Sequence, residues 1–299
     1  METFDDIFNA QNQRGSDQRQ SGTFDKDEFA ARKKRERDSL YALVDETISD
    51  MAVDGGAFQT YLDVQSRFDR YSVTNAVLIA AQMPEATRLM DFDGWKEAGA
   101  YVRRGAEAIT ILEPGKEYTR EDNGSTGVYY NPKKVFDISQ TDQKPVPTVQ
   151  RDQRTLLKAL INRAPCRFAV SADIPDARNA MYDLNANTIV VRPGLDGDVY
   201  FRAVAQELAR VMMARSGKEY ADPDFTAYCA SYMVSNRYGI SVESYNFDQL
   251  PEAFQDMAPQ EMRDELGKMR NLSGDLIADM RRTFEAQEKA QKNRDDGAR

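Results

Sequence analysis

With 299 residues, the chain is long enough for two ordinary domains. Its 41% hydrophobic and 30% charged residues are typical of a globular protein with real cores, and no apolar run reaches the roughly 18 residues of a membrane-spanning helix. The absence of histidine excludes Ser-His-Asp and Cys-His catalysis and every histidine-based zinc site.

The net charge of −9 argues against broad electrostatic affinity for nucleic acids. The charge is uneven, however, because residues 61–170 hold 16 basic and 14 acidic residues and are the least unfavourable stretch for a phosphate backbone. Cys166 and Cys229 are too few and too far apart for a disulfide framework, and the N-terminus lacks the features of a secretory signal. We therefore expect a cytoplasmic protein.

Residues 1–36 are polar and show no helical or strand period, so we predict a disordered N-terminal segment. The segment ends in a basic run from Arg32 to Arg37. This run is either a phosphate contact or the solvated start of a helix, and we favour the helix start.

Hydrophobic spacing, capping residues and helix breakers predict the remaining elements. In the first half they are helices over 40–51, 58–68 and 72–82, a short helical stretch from Gly94, and strands over 108–112 and 127–138. In the second half they are a helix near 150–163, strands near 166–170, 180–184 and 189–191, and helices over 198–217 and 223–239. From Pro251 we expect two amphipathic helices, broken near Ser273-Gly274.

This order of elements predicts an α+β protein with two domains. The polar stretch 140–149, which contains two prolines, is the best linker candidate. We assign residues 37–145 to a helix-led first domain, 150–250 to a second domain, and 251–299 to a helical extension with a charged tail.

One helix of the second domain carries a pattern similar to a zinc-peptidase helix. It reads Gln206-Glu-Leu-Ala-Arg210, and residues four apart share one helix face. Zincin peptidases have His-Glu-x-x-His in this place, because two imidazoles one turn apart bind zinc while the glutamate activates the bound water. A glutamine amide is a poor zinc ligand, and the guanidinium of Arg210 has no lone pair to offer.

The third ligand of such enzymes, often a glutamate on the next helix, corresponds to Tyr228 here. All three ligand positions are therefore changed while Glu207 remains, and we expect no metal, no cofactor and no catalytic residue. Two interpretations stay open. Glu207 and Arg210 form an ordinary surface pair worth a few tenths of a kcal/mol, or a relic pocket binds something else.

Together with the first half, this helix resembles the ArdC-type antirestriction proteins of plasmids and conjugative elements. The motifs that carry the resemblance are Tyr71-Ser-Val-Thr-Asn75, Gln82-Met-Pro84, Gly94-Trp95, Val102-Arg-Arg-Gly105, Val135-Phe-Asp-Ile-Ser-Gln-Thr141, and the stretch from Tyr182 to Gly194. They span roughly residues 40–270. The resemblance implies a single-stranded-DNA-binding domain followed by a zincin-like domain, here without the family's metal ligands.

The half implied to bind DNA contains one group of aromatic and cationic residues. These are Trp95, Lys96, Tyr101, Arg103 and Arg104. Aromatic rings beside cations are typical of sites that track a single strand, where each stacked base contributes about 1–3 kcal/mol. Alternatively, Trp95 is a core residue and the arginines are solvated.

Asn75 and Gln82 are further candidates, because they lie seven residues apart on one face of the third predicted helix. They are either buried polar anchors or contacts to base edges, and the sequence does not separate these roles.

We therefore expect a binding protein and not a working hydrolase. The implied role is binding of single-stranded DNA for a mobile element, with antirestriction as its purpose. Two alternatives remain: a metallopeptidase with unconventional ligands, and a structural adaptor that holds a protein partner through its C-terminal helices. No membrane partner is expected.

Overall fold

A computed structural model describes residues 26–119, 125–144, 150–175 and 177–297. Within these ranges, helices pack around two three-stranded sheets, which confirms the α+β class. The helices are α1 (Lys26–Val53), α2 (Gly55–Arg67), α3 (Val73–Gln82), α4 (Phe92–Glu97), α5 (Gln153–Ile161), α6 (Gly197–Ser216), α7 (Pro223–Arg237), α8 (Glu252–Gln255) and α9 (Pro259–Gly297). The strands are β1 (Leu89–Met90), β2 (Ile109–Thr119), β3 (Thr126–Asp137), β4 (Arg167–Val170), β5 (Ala180–Asp183) and β6 (Thr188–Val191).

The first sheet is antiparallel and has the order β1-β3-β2. Most of it is the long β2–β3 hairpin, in which Ile109 pairs with Val135 near the base and Thr119 pairs with Thr126 near the tip. Ile109 and Val135 are buried, whereas residues 128–130 in the distal part are exposed. The hairpin is therefore anchored in the core at one end only.

The second sheet has the order β4-β6-β5, with β4 parallel and β5 antiparallel to β6. Each strand begins within one residue of its predicted start. The turn between β5 and β6 includes Asn187 at a positive φ of 45°, a left-handed conformation that asparagine adopts more readily than most residues. Helix α6 packs on this sheet and brings residues 206–210 next to β5.

The hydrophobic cores do not follow the two-domain division predicted from the sequence. One core joins α1, α2, α3 and the base of the hairpin to α7, α8 and α9. Its members include Leu40, Val44, Phe58, Leu62, Leu78 and Ile111 from the first half and Cys229, Met233, Phe254, Met262, Leu266 and Met269 from the second. A second large core contains α5, the second sheet, α6 and the later part of α9. The predicted boundary near residues 145–150 is therefore not a boundary of packing.

Helix α1 begins at Lys26, so the prediction of disorder is wrong for residues 26–36. The basic run from Arg32 to Arg37 is helical, as the favoured interpretation expected, but it lies inside the helix and not at its start. Its residues are good helix formers, and the helix continues without interruption into the buried stripe that starts at Leu40. Residues 1–25, and residues 145–149 of the predicted linker, lie outside the described ranges.

The predicted break near Ser273-Gly274 is also wrong, because α9 runs through it as one helix of 39 residues. A glycine inside a helix costs about 1 kcal/mol, and burial of the neighbouring Leu272, Leu276 and Ile277 outweighs this cost. Despite its length, neither α9 nor any other helix in the described ranges is apolar enough to cross a membrane.

Candidate functional site

Helix α6 is positioned by its ends and by its apolar face. The side chain of Asp196 caps its N-terminus, and Gly217 ends it in a left-handed conformation with φ of 63°. The predicted stripe, which contains Phe201, Val204, Leu208 and Val211, is buried. With this face buried, Glu207 lies next to β5 and Arg210 lies next to the start of α7.

Glu207 lies buried against the edge of the second sheet. One carboxylate oxygen accepts a hydrogen bond from the backbone N–H of Tyr182 in β5 at 2.9 Å. The other accepts a hydrogen bond from Arg210. Burial raises the pKa of Glu207 above its ordinary value, and the charge of Arg210 and the Tyr182 N–H oppose this effect without cancelling it.

Arg210 joins two helices through its guanidinium. It pairs with Glu207 on its own helix, and its Nε and Nη2 donate to one oxygen of Asp224 on α7 at 3.0 and 2.9 Å. The interpretation as an ordinary surface pair is therefore wrong, because Glu207 is buried and the pair extends to a third residue. Because Glu207 is buried, leaving its charge without Arg210 would be costly, although Asp224 is 74% exposed.

A cavity of about 330 Å³ lies beside these residues. Gln206, Glu207, Arg210 and Tyr228 line it together, so the structure brings the four candidate residues to one place. The hydroxyl of Tyr228 accepts the N–H of Asn246 at 2.7 Å, and burial raises the pKa of this phenol.

These residues do not fit a zinc-type ligand set. Gln206 offers a neutral amide, the Tyr228 phenol stays protonated, and Arg210 places a fixed positive charge at a ligand position. Glu207 is committed to Arg210 and to the sheet edge. Among the described residues, no group of three or more Cys, Asp or Glu side chains is arranged to hold a metal ion.

In the first half, Trp95 is fully buried and packs with Ala100 and Ile138 in a small hydrophobic cluster of its own. Its indole N–H donates to the carbonyl oxygen of Phe136 at 2.8 Å, and the guanidinium of Arg88 lies 5.4 Å from its ring. Of the two interpretations of Trp95, the structure favours packing, because a ring in this position offers no face for a base.

Asn75 and Gln82 connect α3 to β2. The amide of Asn75 both donates to and accepts from the backbone of Leu112, each at 2.8 Å. The amide of Gln82 does the same with Thr110, each at 2.9 Å. Both side chains therefore continue the hydrogen bonding of the strand, as polar anchors would, with Asn75 buried and Gln82 exposed.

Arg103 also has a structural contact, since its guanidinium donates to the carbonyl oxygens of Thr141 and Ser139 at 2.8 and 3.0 Å. The remaining candidates, Lys96, Tyr101 and Arg104, are exposed, with Tyr101 at 65%.

A second exposed surface escaped the sequence analysis. In the distal hairpin, Tyr129 and Tyr130 are 49% and 41% exposed. The guanidinium of Arg37, from the basic run of α1, lies 5.9 Å from the Tyr129 ring. The only signal in the sequence is the pair of adjacent tyrosines. Tyrosine in a strand pattern is typical of a half-buried sheet, so this pair does not by itself indicate an exposed site. The contact between α1 and the hairpin is tertiary and cannot be read from local sequence.

Comparison with known proteins gives a family and two structures. Residues 48–156 match the family described as the N-terminal domain of anti-restriction factor ArdC. The metal-free crystal structure of the antirestriction ArdC protein from plasmid R388 is 18% identical, with a TM-score of 0.50 over 71% of this chain and 86% of that one. Its Mn(II)-bound structure is 16% identical, with a TM-score of 0.52 over 81% and 97%. At these identities the likeness shows the fold.

A sequence relative is the uncharacterized Bacillus anthracis protein pXO2-81, which is 25% identical over 153 residues. The match covers 41% of this chain and 26% of that protein, so the chain spans about a quarter of this relative.

Proposed function

We propose that this chain, whose residues 48–156 match the N-terminal domain of anti-restriction factor ArdC, is an ArdC-type antirestriction protein that binds single-stranded DNA for a mobile element and protects that DNA from restriction. The observation that carries the proposal is the contact between Arg37, in the basic run of α1, and the exposed ring of Tyr129 in the β2–β3 hairpin. We call the surface around this contact the hairpin surface and define it by Tyr129, Tyr130, Arg37 and the run from Arg32 to Arg35.

The chemistry of this surface suits a single strand. Exposed rings can stack on bases of any sequence, and neighbouring guanidinium and ammonium groups can meet phosphates. Positions 32–37 hold five basic residues and one acidic residue. Since the whole chain carries −9, such a local concentration of positive charge is needed for contact with DNA.

The residues Lys96, Tyr101 and Arg104 form a second candidate surface, which we keep as an alternative. Acidic residues lie close to them in sequence, at Asp93 and Glu97. This mixed charge is less favourable for a phosphate backbone than the basic run of α1 at residues 32–37. We therefore propose the hairpin surface as the main contact.

Titration of a fluorescent oligonucleotide, single-stranded against double-stranded, tests the function and locates the surface. We expect preference for the single strand, and loss of about an order of magnitude or more in affinity for the Tyr129→Ala/Tyr130→Ala variant, since each stacked base contributes about 1–3 kcal/mol. The matched variant Tyr101→Ala removes an exposed ring from the alternative surface and should change little.

If Tyr101→Ala weakens binding and Tyr129→Ala/Tyr130→Ala does not, the DNA-binding surface is the one that contains Tyr101. No binding by the wild-type protein, or equal binding to duplex, would overturn the proposed function. A salt titration adds a second readout, because three or four phosphate contacts give a slope near −2 to −3 at about −0.7 per contact. Neutralising Arg32 and Arg35 should flatten that slope by about one unit.

For the second half we propose a zincin-like scaffold without peptidase activity. The support is the ion-paired arrangement of Glu207, Arg210 and Asp224, in which two positions of the zincin-like motif are engaged in pairing. A metallopeptidase with unconventional ligands is the alternative, and stoichiometric metal in the purified protein together with peptide cleavage would establish it.

The adaptor hypothesis receives less support. The apolar face of α9 is used within the chain as far as Phe284, and the exposed continuation is charged. A protein partner on that charged end remains a proposal.

Both cysteines are free thiols, with Cys229 buried, and we propose a reducing, cytoplasmic location on that basis.

A further inference from the structure

A cavity of about 520 Å³ lies where the two halves of the chain meet. Its described lining residues are Arg67, Thr87, Gln150, Arg151, Leu156, Asn236, Arg237, Tyr238 and Gly239. Three of these are arginines and none is acidic. The volume falls within the roughly 300–1,000 Å³ that is usual for small-molecule sites.

Within the described ranges Arg67 forms no direct ion pair, although the charges of Asp63, Asp137 and Glu85 act on its guanidinium from further away. Its Nε donates to the carbonyl oxygen of Ala86 at 2.9 Å, and its Nη2 donates to that of Pro84. Carbonyl oxygens orient a guanidinium without cancelling its charge. The side chain is therefore a fixed cation at the wall of the cavity.

Arg237 is held only weakly. Its nearest carboxylate, Asp69, lies 3.9 Å away and forms a closer pair with Arg281 at 2.7 Å. Its other contact is the carbonyl oxygen of Arg67 at 3.4 Å. With 38% of its side chain exposed, Arg237 can turn toward a ligand at little cost.

Arg151 completes the group. It stacks on the ring of Phe284 with 4.1 Å from guanidinium to centroid. Its carboxylate partner, Glu288, lies at 3.1 Å but is 70% exposed, so that pair is worth little in water. Glu288 belongs to an adjoining cavity of about 270 Å³ and does not line the larger one.

We propose that this cavity binds a phosphate monoester, supplied either by a free mononucleotide or by the terminal phosphate of a DNA strand. Planar guanidinium groups bind phosphate oxygens in pairs, and their charge complements a dianion. Thr87 and Gln150 also line the cavity, and a hydroxyl and an amide are side chains that can hydrogen-bond a phosphate. The site is separate from the hairpin surface, so the mononucleotide part of the proposal does not rest on the proposed function.

Calorimetric titration with deoxyadenosine monophosphate and with deoxyadenosine tests the site. We expect the phosphate form to bind and the nucleoside to leave no signal. Arg237→Gln and Arg151→Gln should each weaken binding about tenfold or more, because each removes charge-assisted hydrogen bonds. Arg282→Gln is the matched control, since it removes the same charge from an exposed position on α9 and should change nothing.

Oligonucleotides with and without a 5′-phosphate distinguish the two sources. Dependence of oligonucleotide affinity on both the 5′-phosphate and Arg237 supports a DNA end, and response of the mononucleotide alone supports a free nucleotide. Equal binding by Arg237→Gln, Arg151→Gln and Arg282→Gln would overturn the site, as would failure of every phosphate ligand to bind. If Arg237→Gln lowers the melting temperature, Arg237→Lys, which keeps the charge and loses the paired geometry, should still weaken binding.

Discussion

At the scale of single residues, several polar side chains supply the hydrogen-bond partners of backbone groups that no other strand or helix reaches. Asp137 is buried at the end of β3 and accepts the N–H groups of Thr87, Arg88 and Ser139 at 2.7, 2.8 and 2.8 Å. The sequence did not single it out, because an acidic residue in a strand pattern is typical of a solvent-facing position. Only the contact with residues about fifty positions upstream reveals its role.

The pH dependence of stability should report on Asp137. Burial alone would raise the pKa of this carboxyl, but the hydrogen bonds from Arg88, Ser139 and Thr87 outweigh it and hold the pKa below its ordinary value. Asp137→Asn should cost about 1–3 kcal/mol of unfolding free energy at pH 7. Because the native pKa is depressed, the difference should persist above about pH 4 and shrink as the pH falls further.

Chemical denaturation of wild-type protein and Asp137→Asn at pH 7 and near pH 3 makes this measurement. A difference that is independent of pH would show that shape, and not charge, accounts for the role of Asp137.

Arg210 offers a second test at this scale. Arg210→Met leaves Glu207 buried with one hydrogen bond, and we expect a loss of about 1–3 kcal/mol, below the roughly 3–5 kcal/mol of a fully buried pair because Arg210 is partly exposed. The loss should ease as the pH falls toward about 4.3, since burial raises the native pKa of Glu207 and protonation removes the unpaired charge.

The double variant Glu207→Gln/Arg210→Met is the control. It should recover most of the stability, because a glutamine can still accept the Tyr182 N–H and no charge is left buried. Equal losses in the single and double variants would indicate that packing by Arg210, and not its charge, matters.

At the scale of elements, hydrophobic periodicity predicted most helices and strands. Helix α6 runs from Gly197 to Ser216, and the sequence predicts 198–217. The prediction is close because the apolar stripe and the glycine at the C-terminus indicate the same helix. The prediction is wrong for α9, where Ser273-Gly274 indicates a break that the helix does not have. Local propensity is a weak signal there, and burial against two cores decides the outcome.

Glycine substitutions test this explanation. A Cβ added at Gly274 or Gly267 meets open space inside α9, so Gly274→Ala should stabilise the protein by about 0.5–1 kcal/mol through helix propensity. Gly55→Ala is the contrasting variant, because its Cβ would lie 1.6 Å from the carbonyl oxygen of Phe247. It should cost about 1–3 kcal/mol, and urea denaturation measures both. A destabilised Gly274→Ala would mean that α9 needs flexibility at that point.

At the scale of the whole molecule, the sequence predicted which segments fold but not which ones share a core. Core residues on α7, α8 and α9 carry no mark that assigns them to the first half, since an apolar face does not specify its partner. The same limitation hid the hairpin surface and the arginine-lined cavity, because both arise where distant segments meet.

We therefore expect a fragment of residues 26–144 not to fold on its own. It lacks Met233, Phe254, Met262 and Leu266, which complete its core in the full chain, and the loss of several such side chains exceeds the usual 5–15 kcal/mol of net stability. Near-ultraviolet circular dichroism and a denaturant titration of the fragment check this. A cooperative transition in the fragment would restore the two-domain description.

The position of α9 across both cores also has a consequence for synthesis. The core that α9 shares with α1, α2 and α3 is completed last: its first-half residues leave the ribosome long before Met262, Leu266 and Met269 are made. The nascent chain therefore exposes an apolar face throughout most of translation. Chains of this kind depend on chaperones and are prone to aggregation while unfinished. A premature stop upstream of α9 should consequently yield protein that is degraded, not a shortened protein that keeps one of its functions.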